Sequence, residues 1–176
     1  MASICITLQM LAVPGMAGLA GKLQLYLDRV NKKPDSAGEL TGSVHVVVTR
    51  DLRYAPFRAL SPLHIVVSMD EAREIARYAR IPLTQYLQLC IALALVQRKA
   101  LADNPLLIGE DLGHPADVRC LFNYTKVIQD YALEVEGMRV CGACREFYRC
   151  LKCESELDQV DAHLKVLRKG VKYSEK

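Results

Sequence analysis

The sequence has no large charge excess, no internal repeat, no low-complexity tract and no uninterrupted apolar run of membrane-spanning length. Each absence removes a class. A formal net charge of +3 implies no polyanion partner by itself. Without repeats the chain is not a solenoid, and without low-complexity tracts it is not a linker or a disordered tail. Residues 4–20 are fairly apolar, but Thr7, Gln9, Pro14 and glycines interrupt them, and no Lys or Arg precedes them. A secretory signal is therefore not expected. The charge-free stretch 81–96 is broken by Pro82, Thr84, Gln85 and Gln88. It is also shorter than the roughly 20 apolar residues that a bilayer requires. No membrane contact is expected, and a reducing, cytoplasmic setting follows, in which cysteines serve as ligands or thiols before disulfides.

What is present is a globular composition, 51% apolar and 24% charged over 176 residues, enough for one domain with a real core. Residues 3–8, 44–49 and 63–68 are strand-like, and 118–122 reads as a short strand. Leu19, Leu23, Tyr26, Leu27 and Val30 recur at helical spacing over 17–31. Ser68 or Asp70 can cap a helix from 71 that Pro82 ends, and Thr84 a second over 85–101. That second helix is apolar nearly all round and belongs at the centre. A further helix over 125–136 ends at Gly137, and Leu157, Val160, Leu164 and Leu167 mark a last amphipathic one. The expected fold is mixed α/β (α+β), a three- to four-stranded sheet packed by about five helices. Residues 1–138 form its core, and a cysteine-rich metal knuckle with a closing helix is expected over 139–176, within one compact unit.

Cys141-Gly-Ala-Cys144 and Cys150-Leu-Lys-Cys153 are two Cys-x-x-Cys pairs separated by five residues. Such a pair bends the backbone so that both thiolates face one ion, and zinc takes four such ligands at about 2.3 Å. The simplest expectation is one structural Zn2+ held by Cys141, Cys144, Cys150 and Cys153. Five residues are few for a zinc ribbon, whose knuckles a long hairpin separates. The alternative set is Cys120, Cys141 and Cys144, with a fourth ligand from His114, Cys150 or Cys153. Some of these cysteines could instead be apolar core residues, since free cysteine is commonly interior.

His114, Cys120, the run Leu-Phe-Asn-Tyr-Thr (121–125) and Cys141-x-x-Cys144 resemble the tail of the archaemetzincin metalloproteases, over residues 104–145. The resemblance implies a structural zinc at these cysteines. It departs at Pro115, which stands where the family has its first cysteine, and the His-Glu-x-x-His helix is absent. Without two histidines one helical turn apart there is no cradle for a catalytic zinc and its water. The resemblance thus implies a metallohydrolase relative that kept the structural metal and lost the enzyme.

Cys141-Gly-Ala-Cys144 also looks like a thioredoxin-type redox pair, but such pairs open a βαβ unit, and only one helix and a tail remain here. The segment 63–99 has the outline of a DNA-binding module, yet its second helix is uncharged from Thr84 through Val96 and cannot face phosphates. The tail is more basic: nine of the 23 Lys and Arg but six of the 20 Asp and Glu lie from Arg139 onward. Arg139, Arg145, Arg149 and Lys152 surround Phe147 and Tyr148 there, a set that could pair with phosphates and stack on bases. Equally, the two aromatics could pack the knuckle onto the domain. Glu110, Asp111 and His114 share a loop without a nucleophile, and His45, His64 and His163 have no obvious catalytic company. The expectation is a non-enzymatic zinc-stabilised domain whose basic C-terminal end meets a protein or nucleic acid. A metallohydrolase relative and a thiol redox protein are the alternatives.

Overall fold

The structure, a computed structural model, describes residues 5–10, 25, 43–49, 57–104, 120–122 and 137–174. Four strands, β1 (Cys5–Met10), β2 (Ser43–Thr49), β3 (Phe57–Ser61) and β4 (His64–Ser68), form one sheet in the order β1-β2-β4-β3. β1 and β4 both run parallel to β2, and β3 is antiparallel to β4. In β4 every residue from Ile65 to Ser68 is buried, as expected of an interior strand covered on both faces. β3 alternates, with Phe57 and Ala59 inward and Arg58 and Leu60 outward, the pattern of an edge.

The sequence reading does not anticipate β3. Its five residues run into Ser61-Pro62, which reads as a loop, and Pro62 sits in the tight β3–β4 turn. Ser61 Oγ organises that turn, accepting from the Leu63 N–H at 3.1 Å and bonding His64 Nδ1 at 2.9 Å. His64, the first residue of β4, is therefore partnered and exposed.

Helix α1 (Met69–Tyr78) begins where Ser68 Oγ accepts the Glu71 N–H at 3.4 Å, the expected cap. It ends as Arg80 enters the left-handed region at φ 53 and Ile81 N–H reaches back to the Ala76 carbonyl at 2.9 Å. Helix α2 (Leu83–Asp103) follows at once. Thr84 does not cap it: Gln85 and Tyr86 N–H groups donate to the Pro82 carbonyl, so the helix starts two residues earlier than a Thr84 cap would place it. Proline is a natural boundary here because its fixed φ leads into the first turn. From Leu89 to Leu101 every residue of α2 is buried, which makes it the central element expected of its apolar surface.

Three buried polar residues on α2 have specific tasks. Gln97 Oε1 accepts the Ala59 N–H of the edge strand at 3.2 Å, and Arg98 Nε donates to the Pro62 carbonyl at 2.8 Å. Lys99 Nζ lies 3.6 Å from Glu156 on the C-terminal helix.

Two more helices close the fold, α3 (Gly142–Cys150) and α4 (Glu154–Ser174). Leu157, Val160, Leu164 and Leu167 are all buried, the stripe predicted for the last helix, and α4 lies along α2. The architecture is mixed α+β, with four helices among the described residues rather than about five. The helices expected over 17–31 and 125–136 lie outside those residues, except Leu25, which is helical and exposed. No helix among the described residues is long and apolar enough to cross a membrane.

Candidate metal centre

The segment between the two cysteine pairs is not a hairpin. Cys144, Tyr148 and Leu151 fall at helical spacing and face the core, so the chain from Gly142 onward winds into α3. Cys141 is its N-cap, and its sulfur accepts the Cys144 N–H at 3.4 Å. A helix advances about 1.5 Å per residue, so Cys150, six residues beyond Cys144, is carried roughly 9 Å along the axis. The four-cysteine set is thus split by secondary structure.

A different sulfur completes the group. Residues around Cys120 and Arg139 pair as an isolated parallel bridge, with the Leu121 N–H donating to the Arg139 carbonyl at 2.9 Å. That bridge sets Cys120 beside the start of α3. The sulfurs of Cys120, Cys141 and Cys144 lie within 4.8 Å of one another, and those of Cys120 and Cys144 are 3.6 Å apart. All three residues are buried. Four ligands about 2.3 Å from a zinc ion in tetrahedral array stand about 3.8 Å from each other. The three thiols are positioned to hold a metal ion.

The electrostatics favour one anionic sulfur in the Cys120–Cys144 pair. One S–H···S hydrogen bond joins Cys120 and Cys144. That bond pulls the Cys120 thiol down to about 6 against the opposing effect of burial, aided by the backbone N–H groups of Cys141 and Phe122. Cys144 shifts upward, because it keeps the shared proton, is buried and sits beside the Cys120 charge. The N-terminus of α3 adds the positive end of a helix dipole.

The remaining thiols differ. Cys153 Sγ is directed at the Val96 carbonyl, 3.7 Å away, and at the Leu151 carbonyl, 3.3 Å away. Burial, then the neighbouring Glu156 charge, push its thiol up to about 12. Cys150 is exposed on the far end of α3. Cys90 is buried in α2 and burial drives its thiol upward, which marks it as packing. His114, Glu110 and Asp111 lie outside the described residues, as does the Cys5 side chain.

Of the basic and aromatic residues of the tail, Arg139, Phe147, Arg149 and Lys152 are exposed. Tyr148 is fully buried, its ring 4.6 Å from Phe122, which in turn meets Phe57 edge-on at 6.2 Å. It packs α3 onto the body and cannot stack on a base. Arg145 is tied down too, its guanidinium donating to both Asp161 oxygens at 2.9 and 2.5 Å. That pair, which joins α3 to α4, was not visible in the sequence. Its members stand sixteen positions apart, which gives no local signal. His163 is half-buried on α4, and burial holds its imidazole below the usual value.

No family model, curated protein or solved structure matches the chain. Its chemistry therefore has to be read from its own residues.

Proposed function

We propose that Cys120, Cys141 and Cys144 bind a structural zinc ion and that the chain is a non-enzymatic interaction domain stabilised by it. The observation that carries this is the convergence of three buried sulfurs within 4.8 Å at the start of a helix. Buried thiolates without a cation are costly, and zinc is the common divalent ion for tetrahedral thiolate sites. His114, six residues before Cys120, is the fourth ligand we assign, and it would add an uncharged nitrogen. Because the three sulfurs come from two chain segments, the ion would cross-link the bridge at Cys120 to helix α3 and organise the C-terminal end only in the folded state. No catalytic role is proposed, since the sequence has no pair of histidines one helical turn apart.

Metal analysis tests the reading. The purified chain should carry one zinc per molecule, lost in Cys120→Ser, Cys141→Ser and Cys144→Ser but kept in Cys150→Ser and Cys153→Ser. Zinc retained by the first three, or lost with Cys150, would reject this ligand set.

For the partner we favour a protein. Phe147 is 41% exposed, with Arg139, Arg149 and Lys152 exposed in the same segment, an aromatic anchor with a polar surround. Nucleic acid would gain only one aromatic there, since Tyr148 is core. Binding to single-stranded RNA that weakens steeply with salt would favour nucleic acid instead.

A further inference from the structure

We infer that Cys120 and Cys144 are a reversible dithiol–disulfide couple that reacts with peroxides, so that oxidation empties the metal centre. Their sulfurs are 3.6 Å apart, and a disulfide bond of about 2.05 Å requires them to close by roughly 1.5 Å. Side-chain rotation supplies a shift of that size. The backbone is already in place, because the Cys120–Arg139 bridge holds one cysteine beside the helix that carries the other. Cys141 Sγ, in the same group, is a third thiol that can exchange into the disulfide, and an external dithiol supplies the two electrons that reopen it.

The chemistry balances with hydrogen peroxide as oxidant. The thiolate of one cysteine attacks a peroxide oxygen, the O–O bond breaks, hydroxide leaves, and the sulfur becomes a sulfenic acid. The second sulfur then attacks that sulfenic sulfur, the S–O bond breaks, and water departs as the disulfide forms. Two thiols lose two electrons and two protons, and the peroxide becomes two waters. A disulfide removes two of three thiolate ligands, so the ion is released. The release rests on the zinc assignment above, whereas the disulfide does not.

The sequence makes the product easy to read. Trypsin cuts after Arg119 and Lys126 and after Arg139 and Arg145, which puts Cys120 on one peptide and Cys141 with Cys144 on another. The reduced, zinc-loaded full chain is treated with one equivalent of hydrogen peroxide, free zinc is followed with a chromogenic chelator, and acid-quenched samples are alkylated and digested. The expected result is a disulfide joining peptides 120–126 and 140–145, about one zinc released per chain, and reversal of both by dithiothreitol. Cys141→Ser should keep the cross-link and Cys144→Ser should lose it. Fragmentation of the cross-linked peptides between Cys141 and Cys144 shows which of the two is joined to Cys120, and so decides the matter in the unsubstituted protein even if a variant misfolds. A disulfide confined to 140–145, or oxidation at exposed Cys150 with the triad still reduced, overturns the assignment. Zinc retained through cross-linking overturns its coupling to the metal. A cross-link in a chain that never binds zinc refutes the metal reading and leaves the couple standing.

Discussion

Replacing Lys99 with methionine should destabilise the protein by about 3–5 kcal/mol. The ammonium lies 3.6 Å from Glu156 Oε1, and the two side chains are only 5% and 10% exposed. At that distance the attraction is about 4–5 kcal/mol in an effective dielectric near 20, most of it offset by the desolvation of both ions. Removing one partner keeps the desolvation of the other and forfeits the attraction, which is why a single substitution is severe. Removing both, in Lys99→Met with Glu156→Leu, should return stability to within about 1 kcal/mol of the parent, because shape is kept and neither charge is buried. Urea unfolding by circular dichroism measures this, with the parent, both singles and the double in one cycle. Since Lys99 is on α2 and Glu156 opens α4, the single variants should loosen the C-terminal helix from the body. A cost below about 1 kcal/mol for Lys99→Met, or a double variant as unstable as the sum of the singles, would refute the reasoning.

Three further outcomes follow from the same geometry. With iodoacetamide at pH 8, Cys150 should be alkylated rapidly and Cys153 only on unfolding, since the first is exposed and the second is buried with its thiol raised to about 12; peptide mass mapping over time checks this. Lys152 sits in the left-handed region at φ 57, closing α3 while Cys153 N–H bonds the Tyr148 carbonyl at 3.0 Å. Lys152→Gly should therefore gain about 0.5 kcal/mol and Lys152→Val lose about 1 kcal/mol in thermal unfolding. Burial depresses the His163 pKa in the folded state, so the unfolded chain takes up the proton first as pH falls. Its contribution is full above the unfolded value of 6.5 and declines as pH drops from there towards the folded one. His163→Gln should flatten that part of the stability–pH curve.

Elements written in local pattern were legible. The β-branched runs of β2 and β4, the Ser68 cap, the wholly apolar α2 and the Leu157–Val160–Leu164–Leu167 stripe are each decided by residues a few positions apart. The mixed α+β class followed from them. β3 was missed because five residues at a sheet edge, ended by Pro62, carry too little pattern, and what fixes them is distant, the Gln97 side chain on Ala59. The metal candidates were half legible. Spacing identified Cys141 and Cys144 as a pair, but it also suggested joining them to Cys150 and Cys153, and that overlooks the helix between. Cys144, Tyr148 and Leu151 at helical spacing were the available sign of α3. Cys120 was reachable only as an alternative, because its nearness depends on a single bridge across nineteen positions.

The central claim, that these three sulfurs share one ion, is tested most directly by X-ray absorption at the zinc edge on the intact chain. Three sulfurs at about 2.3 Å and one lighter ligand near 2.0 Å are expected. A shell with fewer than three sulfurs would contradict it.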